Sequence, residues 1–341
     1  MFIKKILIDC LEKKNLNYND VTKLFNKIFK NKLSLVLITA IIIALRSKGE
    51  SIEEIIAIVK VLRKFLIIIP NNNNKVKDFL DIVGTGGDLY NTFNISTASM
   101  FVVAAAGVKI AKHGGRFISS SSGSADVLEE LGVNINLKSK YLLKCISKTG
   151  IGFMLSSNYY KCIKNISFLR KELKIKTIFN IIAPLVNPLN VQKIFMGVFN
   201  KNLIKIQIYA LKCLNFKKAI VLCGEDGLDE VTLNGYTYIA ELINNKIVKY
   251  KIHPQYFGIN IVSSNAFKVN NVKDSKQKIL DVFYGKKSHY YDIVVLNSAV
   301  ILYFSKISLS IREGISKACE IINNGLALKK LNQFIYVTNN F

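Results

Sequence analysis

The sequence of 341 residues predicts an α/β protein in which a small all-helical N-terminal domain precedes a larger α/β domain with a mostly parallel central sheet. Up to about residue 68, apolar residues recur only at helical spacing. Beyond it, short apolar runs alternate with helical segments, which is typical of parallel sheets. Pro70 and the asparagines at 71–74 separate the two patterns. We therefore expect domains at 1–70 and 75–341, with a helical segment near 160–190 joining the first domain.

Two segments define the N-terminal helices. Ser51 and Glu54 have the spacing of a capping box and precede an amphipathic run, so we expect a helix to begin there. The apolar segment Leu33–Leu45 has 13 residues, fewer than the roughly 18–20 that span a bilayer. We interpret it as a buried helix.

We expect no secretory signal at the N-terminus, because charged side chains interrupt its apolar residues: Lys4, Lys5, Asp9 and Glu12. The six cysteines are scattered without the Cys-x-x-Cys spacing of a zinc site and without a disulfide framework. Both features are expected of a protein of the reducing cytoplasm.

In the predicted α/β domain, strands and helices alternate along the chain. The expected strands are at 81–83, 108–111, 151–155, 194–198 and 219–222. The expected helices between them are at 97–106, 125–131, 139–149 and 202–214. Residues 235–252 are expected to form a hairpin, and residues 290–337 to return to helix.

The net charge of +25, from 48 basic and 23 acidic residues, is compatible with nucleic-acid binding. The lysines, however, are spread along the whole chain without a dense basic block. The sequence is rich in Lys, Asn, Ile, Phe and Tyr and has no Trp, which is what drift toward AT-rich codons produces. We interpret the charge mainly as compositional drift that partly favours anionic substrates. A polyanion-binding surface stays open as the alternative.

Residues 81–97, DIVGTGGDLYNTFNIST, combine a strand, a glycine turn and a helix start. Glycine lets backbone N–H groups approach a ligand closely, and a helix N-terminus adds unpaired donors and a positive dipole end. Four short polar side chains follow, at Thr92, Asn94, Ser96 and Thr97. Because one of them would suffice to cap the helix, the surplus indicates a ligand. The stretch predicts a phosphate site.

A second polar cluster begins at Lys112, directly after the predicted strand 108–111. A lysine there would lie at the carboxyl edge of the sheet, where α/β proteins bind ligands. The loop that continues to Ser124 is rich in serine and glycine, like the first loop. His113 alone is expected to pack within this loop rather than to act in catalysis. Together the two loops predict a ligand with two phosphate groups.

Asp229 and Glu230, in CGEDGLDEV, follow the predicted strand 219–222. They would therefore lie at the same edge of the sheet as the two loops. Adjacent carboxylates are usually a solvated acidic turn, but this chain has few acidic residues and these two stand beside a predicted polyphosphate site. Mg²⁺ is commonly held by one or two carboxylates together with substrate phosphates. We interpret the pair as a Mg²⁺ site.

Six motifs occur in a fixed order along the chain: GTGGD, NTFNIST, AKHGGR, SSGSADVLEELG, RKELKIKTIFNIIAPLVNP and GLDEV. From ALRSKGE at 44–50 to about residue 333, the sequence resembles the anthranilate phosphoribosyltransferases of tryptophan biosynthesis. The resemblance implies a small helical domain and a larger α/β domain with the active site in the cleft between them. It also implies a homodimer formed through the helical domain, and it leaves open an association with anthranilate synthase.

The implied reaction transfers the 5-phosphoribosyl group of 5-phosphoribosyl-1-pyrophosphate, the donor, to anthranilate, the acceptor. Its products are N-(5-phosphoribosyl)anthranilate and pyrophosphate, in a step of L-tryptophan biosynthesis. Mg²⁺, Lys112 and backbone N–H groups would stabilise the leaving pyrophosphate while the acceptor amine attacks C1′ of the ribose. Catalysis would thus consist of positioning and charge stabilisation, without a covalent nucleophile.

The resemblance also implies roles for individual residues. Those implied to bind the donor are Gly84, Gly87, Asp88, Thr92, Asn94, Ile95, Ser96, Thr97, Lys112, His113, Gly114, Gly115, Arg116, Ser119, Ser120 and Ser124. Those implied to hold Mg²⁺ are Ser96, Asp229 and Glu230. Those implied to contact anthranilate are Gly84, Gly115 and Arg170, whose guanidinium suits a carboxylate. Those implied to act in catalysis are Lys112, Asp229 and Glu230.

Three places depart from the family pattern. Gly115 stands where relatives have the asparagine of HGNR, and Tyr160 and Lys161 stand where they have His-Pro. Ala183 begins APLVNP where relatives have GPLTNP. All three lie on the acceptor side, so an altered acceptor or a low-activity enzyme stays an alternative.

Two further alternatives concern the whole protein. Pyrimidine nucleoside phosphorylases share this fold, but they carry a KHSTGG-like phosphate motif where this chain has KHGGR. A non-enzymatic nucleic-acid-binding relative would fit the charge. Such a protein would have no reason to retain together Asp88, Ser96, Lys112, Asp229 and Glu230.

Overall fold

The structure, a computed structural model, describes residues 1–67, 69, 78–86, 90–116 and 122–341. Several expected features lie outside these ranges: the boundary at 70–74 and the site residues Gly87, Asp88, Ser119 and Ser120. The domain limits at residues 70 and 75 therefore stay a prediction.

Residues 1–67 form a bundle of helices: α1 (Phe2–Leu11), α2 (Tyr18–Phe29), α3 (Leu35–Lys48) and α4 (Ile52–Lys64). A capping box begins α4, as predicted. The Ser51 hydroxyl accepts a hydrogen bond from the Glu54 N–H at 3.2 Å, and the Glu54 carboxylate accepts one from the Ser51 N–H at 2.8 Å. The same buried carboxylate pairs with Lys48 at 2.9 Å. It therefore also joins α4 to α3.

The apolar segment 33–45 forms most of α3, but it is not buried on every side. Its buried residues are Ile38, Ile41, Ile42, Ala44 and Leu45. Leu35 and Val36, in the first turn, are 40% and 78% exposed. The prediction of a buried helix is right for one face and wrong for the first turn, because a helix that is apolar all round does not reveal which side meets the core. Within the described ranges, no helix is long and apolar enough to cross a membrane.

The rest of the chain is built on one mixed, mostly parallel sheet. Its strands in the described residues are β1 (Leu80–Gly84), β2 (Ile110–Gly114), β3 (Ile151–Leu155), β4 (Lys193–Gly197), β5 (Lys218–Gly224), β6 (Thr237–Ile243) and β7 (Lys246–Ile252). Their spatial order is β3-β2-β1-β4-β5-β6-β7. The strands β1 to β5 pair in parallel, whereas β6 and β7 are antiparallel. The predicted hairpin is confirmed, and its turn consists of Asn244 and Asn245, both with positive φ.

Helices cover both faces of the sheet. Those that follow β1 are α5 (Ile95–Ala105), α6 (Ser124–Glu130), α7 (Ser139–Thr149), α8 (Ser156–Tyr159), α9 (Lys164–Leu173), α10 (Ile178–Ile182), α11 (Asn202–Cys213), α12 (Val272–Phe283), α13 (His289–Phe304), α14 (Ile311–Asn323) and α15 (Leu326–Asn339). Alternate strand residues enter two hydrophobic cores. In β4, Ile194 and Met196 face a core shared with α1–α4, α10 and α11, whereas Phe195 faces a core shared with α5 and α12–α15.

The strand order places β1 at a topological switch point. The chain leaves β1 toward β2 on one side and returns later as β4 on the other side. In α/β sheets of this kind, ligands bind outside the carboxyl ends of the strands where the order reverses. The loops after β1, β4 and β5 are therefore the first place to look for a site.

Candidate active site

Two paired glycines create a notch at the carboxyl ends of β1 and β4. Gly84 and Gly197 lie opposite each other in the parallel register. A Cβ at Gly84 would stand 2.5 Å from Oδ2 of Asp229, and one at Gly197 would overlap the Asp229 carbonyl oxygen. Glycine is therefore required at both positions, because the Asp229 turn lies directly against the strand ends.

The carboxylates of Asp229 and Glu230 bind backbone amides of the first polar loop and of the helix that follows it. The Gly86 N–H donates to Oδ2 of Asp229 at 2.8 Å, and the Ser96 N–H donates to Oε1 of Glu230 at 3.0 Å. Burial raises the pKa of Asp229, while the Gly86 N–H and the nearby charges of Lys176 and Lys112 oppose the rise. The glycine loop, the start of α5 and the acidic turn thus form one connected site, as the sequence predicts.

Lys112 lies within β2 rather than after it. It is the third residue of the strand and only 2% exposed. Its ammonium donates to the Ile82 carbonyl and to the Ser96 hydroxyl, the latter at 3.4 Å. Burial lowers the pKa of Lys112, and the charges of Asp81, Glu230 and Asp229 oppose that shift. The predicted strand end at residue 111 is wrong because a polar residue with buried partners can continue a strand.

His113 also lies in β2, not in the loop where we expected it to pack. Its Nδ1 is 2.5 Å from Oδ2 of Asp81, and its Nε2 is 2.9 Å from the Ala183 carbonyl oxygen. Burial alone would lower the pKa of His113, but the charge and hydrogen bond of Asp81 and the Ala183 carbonyl raise it overall. Both ring nitrogens have protein partners, so the imidazole joins β1, β2 and the chain at Ala183.

Asn94 joins the two polar loops. Its Oδ1 accepts hydrogen bonds from the hydroxyls of Ser122 and Ser275, and its Nδ2 donates to the Ser122 carbonyl. Of the other short polar residues, Thr92 takes part through its backbone, in an antiparallel β-bridge with Lys268. Thr97 is fully buried, with no hydrogen-bond partner for its hydroxyl in the part of the chain that the structure describes. The surplus of polar side chains thus serves the loops themselves in part.

The second polar loop differs from expectation at Arg116. Its guanidinium pairs with Glu129 at 2.6 and 2.9 Å and with Asp126 at 3.2 Å, both on α6. These hydrogen bonds to Glu129 and Asp126 raise the pKa of Arg116. Ser124 begins α6, and its hydroxyl lies against Gly114. A phosphate would therefore compete with carboxylates for Arg116.

Arg170 is the positively charged residue that the sequence analysis expects to contact the acceptor. It lies in the last turn of α9 and is largely buried, and burial lowers the pKa of its guanidinium. Among the described residues, no carboxylate or carbonyl pairs with it. A buried, unpaired cation is costly, so this arginine is available for an anionic ligand.

The chain from Ile181 to Asn187, called the clamped segment below, is held by side chains of separate elements. Four of its carbonyls accept hydrogen bonds: Ile181 from Gln207, Ala183 from His113, Leu185 from Arg63 and Val186 from the Tyr160 hydroxyl. Asn187 donates to Asp81 and to the Ala111 carbonyl, both at 2.9 Å. Tyr160 and Ala183, two of the departures from the family pattern, are therefore parts of this clamp.

Asp81 and Asn187 are site-supporting residues that the sequence reasoning missed. A charged residue in the middle of an apolar strand is a signal that could have identified Asp81, because a buried carboxylate requires a partner. The local hydrogen bond of Asn187, from the Leu189 N–H, does not point to the site, and the acceptors of its amide group are 76 and 106 positions away.

Comparison with known proteins agrees with this architecture. A family model described as "Glycosyl transferase family, a/b domain" matches residues 76–328, and one described as "Glycosyl transferase family, helical bundle domain" matches residues 4–66. An anthranilate phosphoribosyltransferase of Janthinobacterium sp. (strain Marseille) is 46% identical over 98% of this chain and 97% of its own.

Solved structures are similar over almost the whole chain. The anthranilate phosphoribosyltransferase of Saccharomyces cerevisiae in complex with PRPP and Mg superposes with a TM-score of 0.88 at 26% identity, covering 99% of this chain and 98% of that one. The same enzyme in complex with 4-fluoroanthranilate gives 0.82 at 25% identity, covering 95% and 92%. Together with the glycine loop, the acidic turn and the two-part architecture, these matches show that the chain belongs to this glycosyl transferase family, among the anthranilate phosphoribosyltransferases.

Proposed function

We infer that the protein transfers the 5-phosphoribosyl group of 5-phosphoribosyl-1-pyrophosphate to anthranilate, giving N-(5-phosphoribosyl)anthranilate and pyrophosphate in L-tryptophan biosynthesis. One observation carries the inference. The amides of Gly86 and Ser96 and the carboxylates of Asp229 and Glu230 converge at the sheet edge, in a chain 46% identical to a relative of this activity.

The donor is assigned to the two polar loops and the start of α5. The glycines of the first loop would let the donor approach the backbone closely, and the first turn of α5 would offer backbone N–H groups to phosphate oxygens. Neither Ile95 nor Thr97 offers an exposed side chain, so both would contribute their backbone. The roles of Gly87, Asp88, Ser119 and Ser120 follow from the family resemblance alone.

Ser96, Asp229 and Glu230 have the donor chemistry of a Mg²⁺ site, since hydroxyl and carboxylate oxygens suit this ion. The buried Asp229 carboxylate, whose pKa burial raises, fits a cation. Among the described residues, no group of three or more His, Cys, Asp and Glu stands together. Phosphate oxygens of the donor and water would therefore complete the coordination, and bound Mg²⁺ would neutralise charge on the pyrophosphate.

The acceptor is assigned to Arg170, whose unpaired guanidinium would bind the anthranilate carboxylate. Gly115 directly follows β2, two positions after His113, which contacts the clamped segment. A solved yeast relative binds 4-fluoroanthranilate, which supports an anthranilate-like acceptor here.

The residues of this chain act by holding and orienting. The loop amides and the Lys112 charge would stabilise the negative charge that develops as the bond from C1′ to pyrophosphate loosens. Arg170 would fix the acceptor so that its amine faces C1′. Lys112 is buried within the sheet, and its ammonium donates to the Ser96 hydroxyl. Its positive charge would therefore act on the pyrophosphate over a short distance rather than through an exposed contact.

The remaining assignments concern the oligomeric state, a partner protein and the cellular location. A homodimer through the helical domain is supported by exposed apolar side chains on α1 and α3, namely Ile8, Leu11, Leu35 and Val36. Association with anthranilate synthase and a cytoplasmic location are proposed from the family resemblance.

A fluorescence assay of anthranilate consumption tests the proposed function. We expect consumption only when the donor and Mg²⁺ are both present, and none when either is omitted. Consumption without the donor, or none with all components present and the protein folded, would overturn the assignment.

A further inference from the structure

Ser275, near the start of α12, is a buried residue that none of the assignments above uses. Its hydroxyl donates to Oδ1 of Asn94 at 2.8 Å and accepts a hydrogen bond from the Asn94 N–H at 3.1 Å. The two residues are 181 positions apart, and Ser275 is fully buried. One hydroxyl therefore fixes both the backbone and the side chain of Asn94.

Asn94 is itself the connection between the two polar loops. Its Oδ1 accepts from the Ser122 hydroxyl at 2.6 Å, and its Nδ2 donates to the Ser122 carbonyl at 3.2 Å. Asn94 stands at the N-cap of α5 but makes no capping hydrogen bond, although capping is the usual role of asparagine there. The side chain instead holds the second loop against the first.

In this arrangement Asn94 itself does not cap the first turn of α5. The Ser96 N–H donates to Glu230, and the N–H groups of a first helical turn have no partner within the helix. The position of Asn94 thus decides where these donors point and how far the second loop stands from them. Ser275 controls that position from a helix in the C-terminal part of the chain.

We propose that Ser275 is a positioning residue of the donor site that acts through Asn94. The proposal rests on the proposed function, in which both loops bind the donor. Without the hydroxyl, Oδ1 of Asn94 loses one of its two donors and the Asn94 N–H loses its acceptor. Because an unsatisfied buried polar group is costly, Asn94 would shift and take the start of α5 and Ser122 with it.

The test is Ser275→Ala in the full-length enzyme at saturating Mg²⁺, with kcat and the KM of each substrate measured. We expect the donor KM to rise about three- to tenfold, as for the loss of one net hydrogen bond, with the anthranilate KM unchanged. Ser298→Ala is the matched control. Ser298 is equally buried, on α13, and its hydroxyl has no partner among the described residues, so neither KM should change.

A double-mutant cycle with Asn94→Ala tests the route. If Ser275 acts through Asn94, the double variant Ser275→Ala/Asn94→Ala should have the same donor KM as Asn94→Ala alone. An equal rise in both backgrounds would overturn the route through Asn94. An unchanged donor KM, or an equal rise in both KM values, would overturn the positioning role.

Ser275→Cys keeps the test decisive if the alanine variant does not fold. A thiol is a weak donor and acceptor of nearly the same shape, so the donor KM should rise in the same direction but less; an unchanged value would contradict the proposal. The proposed function fails in a different way, since the unmodified enzyme would then consume no anthranilate at all.

Discussion

Position 115 departs from the family pattern, and its backbone conformation does not require the glycine found there, Gly115. Its φ lies outside the left-handed region, and no atom of the described residues lies within 4 Å of where a Cβ would stand. Gly115→Asn should therefore be tolerated and should restore an amide that donates and accepts. We expect the anthranilate KM to fall about two- to tenfold and the donor KM to stay nearly unchanged, as measured by steady-state kinetics.

Gly115→Ala is the control for this substitution, because it fills the same space without an amide and should not lower the anthranilate KM. An anthranilate KM that Gly115→Asn leaves untouched would contradict the assignment of the pocket. So would another amine that proves a better acceptor for the unmodified protein.

Tyr160 stabilises the clamped segment through its hydroxyl, which donates to the Val186 carbonyl. Tyr160→Phe removes that donor and leaves a buried carbonyl unpaired, so the free energy of unfolding should fall by about 1–3 kcal/mol. Urea denaturation measures the change. Tyr159→Phe is the control, because among the described residues the Tyr159 hydroxyl accepts one hydrogen bond, from the Ser139 hydroxyl at 3.3 Å, and the loss should be smaller. Equal losses in the two variants would argue against a special role for Tyr160.

The raised pKa of His113 gives stability a defined dependence on pH. The folded state binds the imidazole proton more tightly than the unfolded chain does. This stabilisation is fully present below the unfolded pKa of about 6.5 and is lost as the pH rises through the folded-state pKa, by at most about 1.4 kcal/mol per pH unit. Denaturation of the unmodified protein and of His113→Gln between pH 6 and 9 should show a difference that shrinks with pH. A constant difference would contradict the ion pair with Asp81.

At the level of elements, the sequence patterns predict most strands to within one or two residues and misplace β2. The strand at 151–155 and the helix at 139–149 are found at the predicted limits. The predicted strand 108–111 begins two residues and ends three residues before β2 does, and its end was misplaced because Lys112 and His113 look like loop residues until their buried partners are known. Local patterns carry no information about such distant partners.

The same limit applies to the candidate site. Both loops and the acidic turn were predictable because each follows a strand, and parallel strands bring their carboxyl ends to one edge. The contacts that support these loops were not predictable. Ser275 and Asn187 bind residues that are far from them in sequence, and Tyr160 binds a single backbone oxygen.

The acidic turn after β5 is the element whose loss should be most damaging to activity. Changing Asp229 and Glu230 both to Ala removes the two carboxylates proposed to bind Mg²⁺ and the acceptors of the Gly86 and Ser96 amides. Turnover should fall at least about tenfold, a barrier increase of roughly 1.4 kcal/mol. Glu225→Ala, in the same turn, is the control and should keep its activity. A folded double variant with unchanged turnover would disprove the metal assignment.

For the molecule as a whole, the charge of +25 should not amount to a nucleic-acid site. Diffuse lysines bind polyanions weakly, without sequence preference and with strong salt dependence. We expect DNA or RNA binding in a mobility-shift assay to disappear when salt is raised modestly. Tight binding that persists near physiological salt would favour a nucleic-acid-binding role.

The clamped segment has a consequence for how the chain folds. The Arg63 side chain of α4 donates a hydrogen bond to the Leu185 carbonyl of this segment. The helices α1–α4 also share one core with a face of the sheet. Removing the helical bundle would uncover α10 and α11 and free the carbonyl, so the α/β part would lose a share of its own interior rather than a detachable neighbour. We therefore expect the two architectural parts to unfold as one cooperative unit, and exchanging either for a foreign domain, by fusion or recombination, would require rebuilding the core between them.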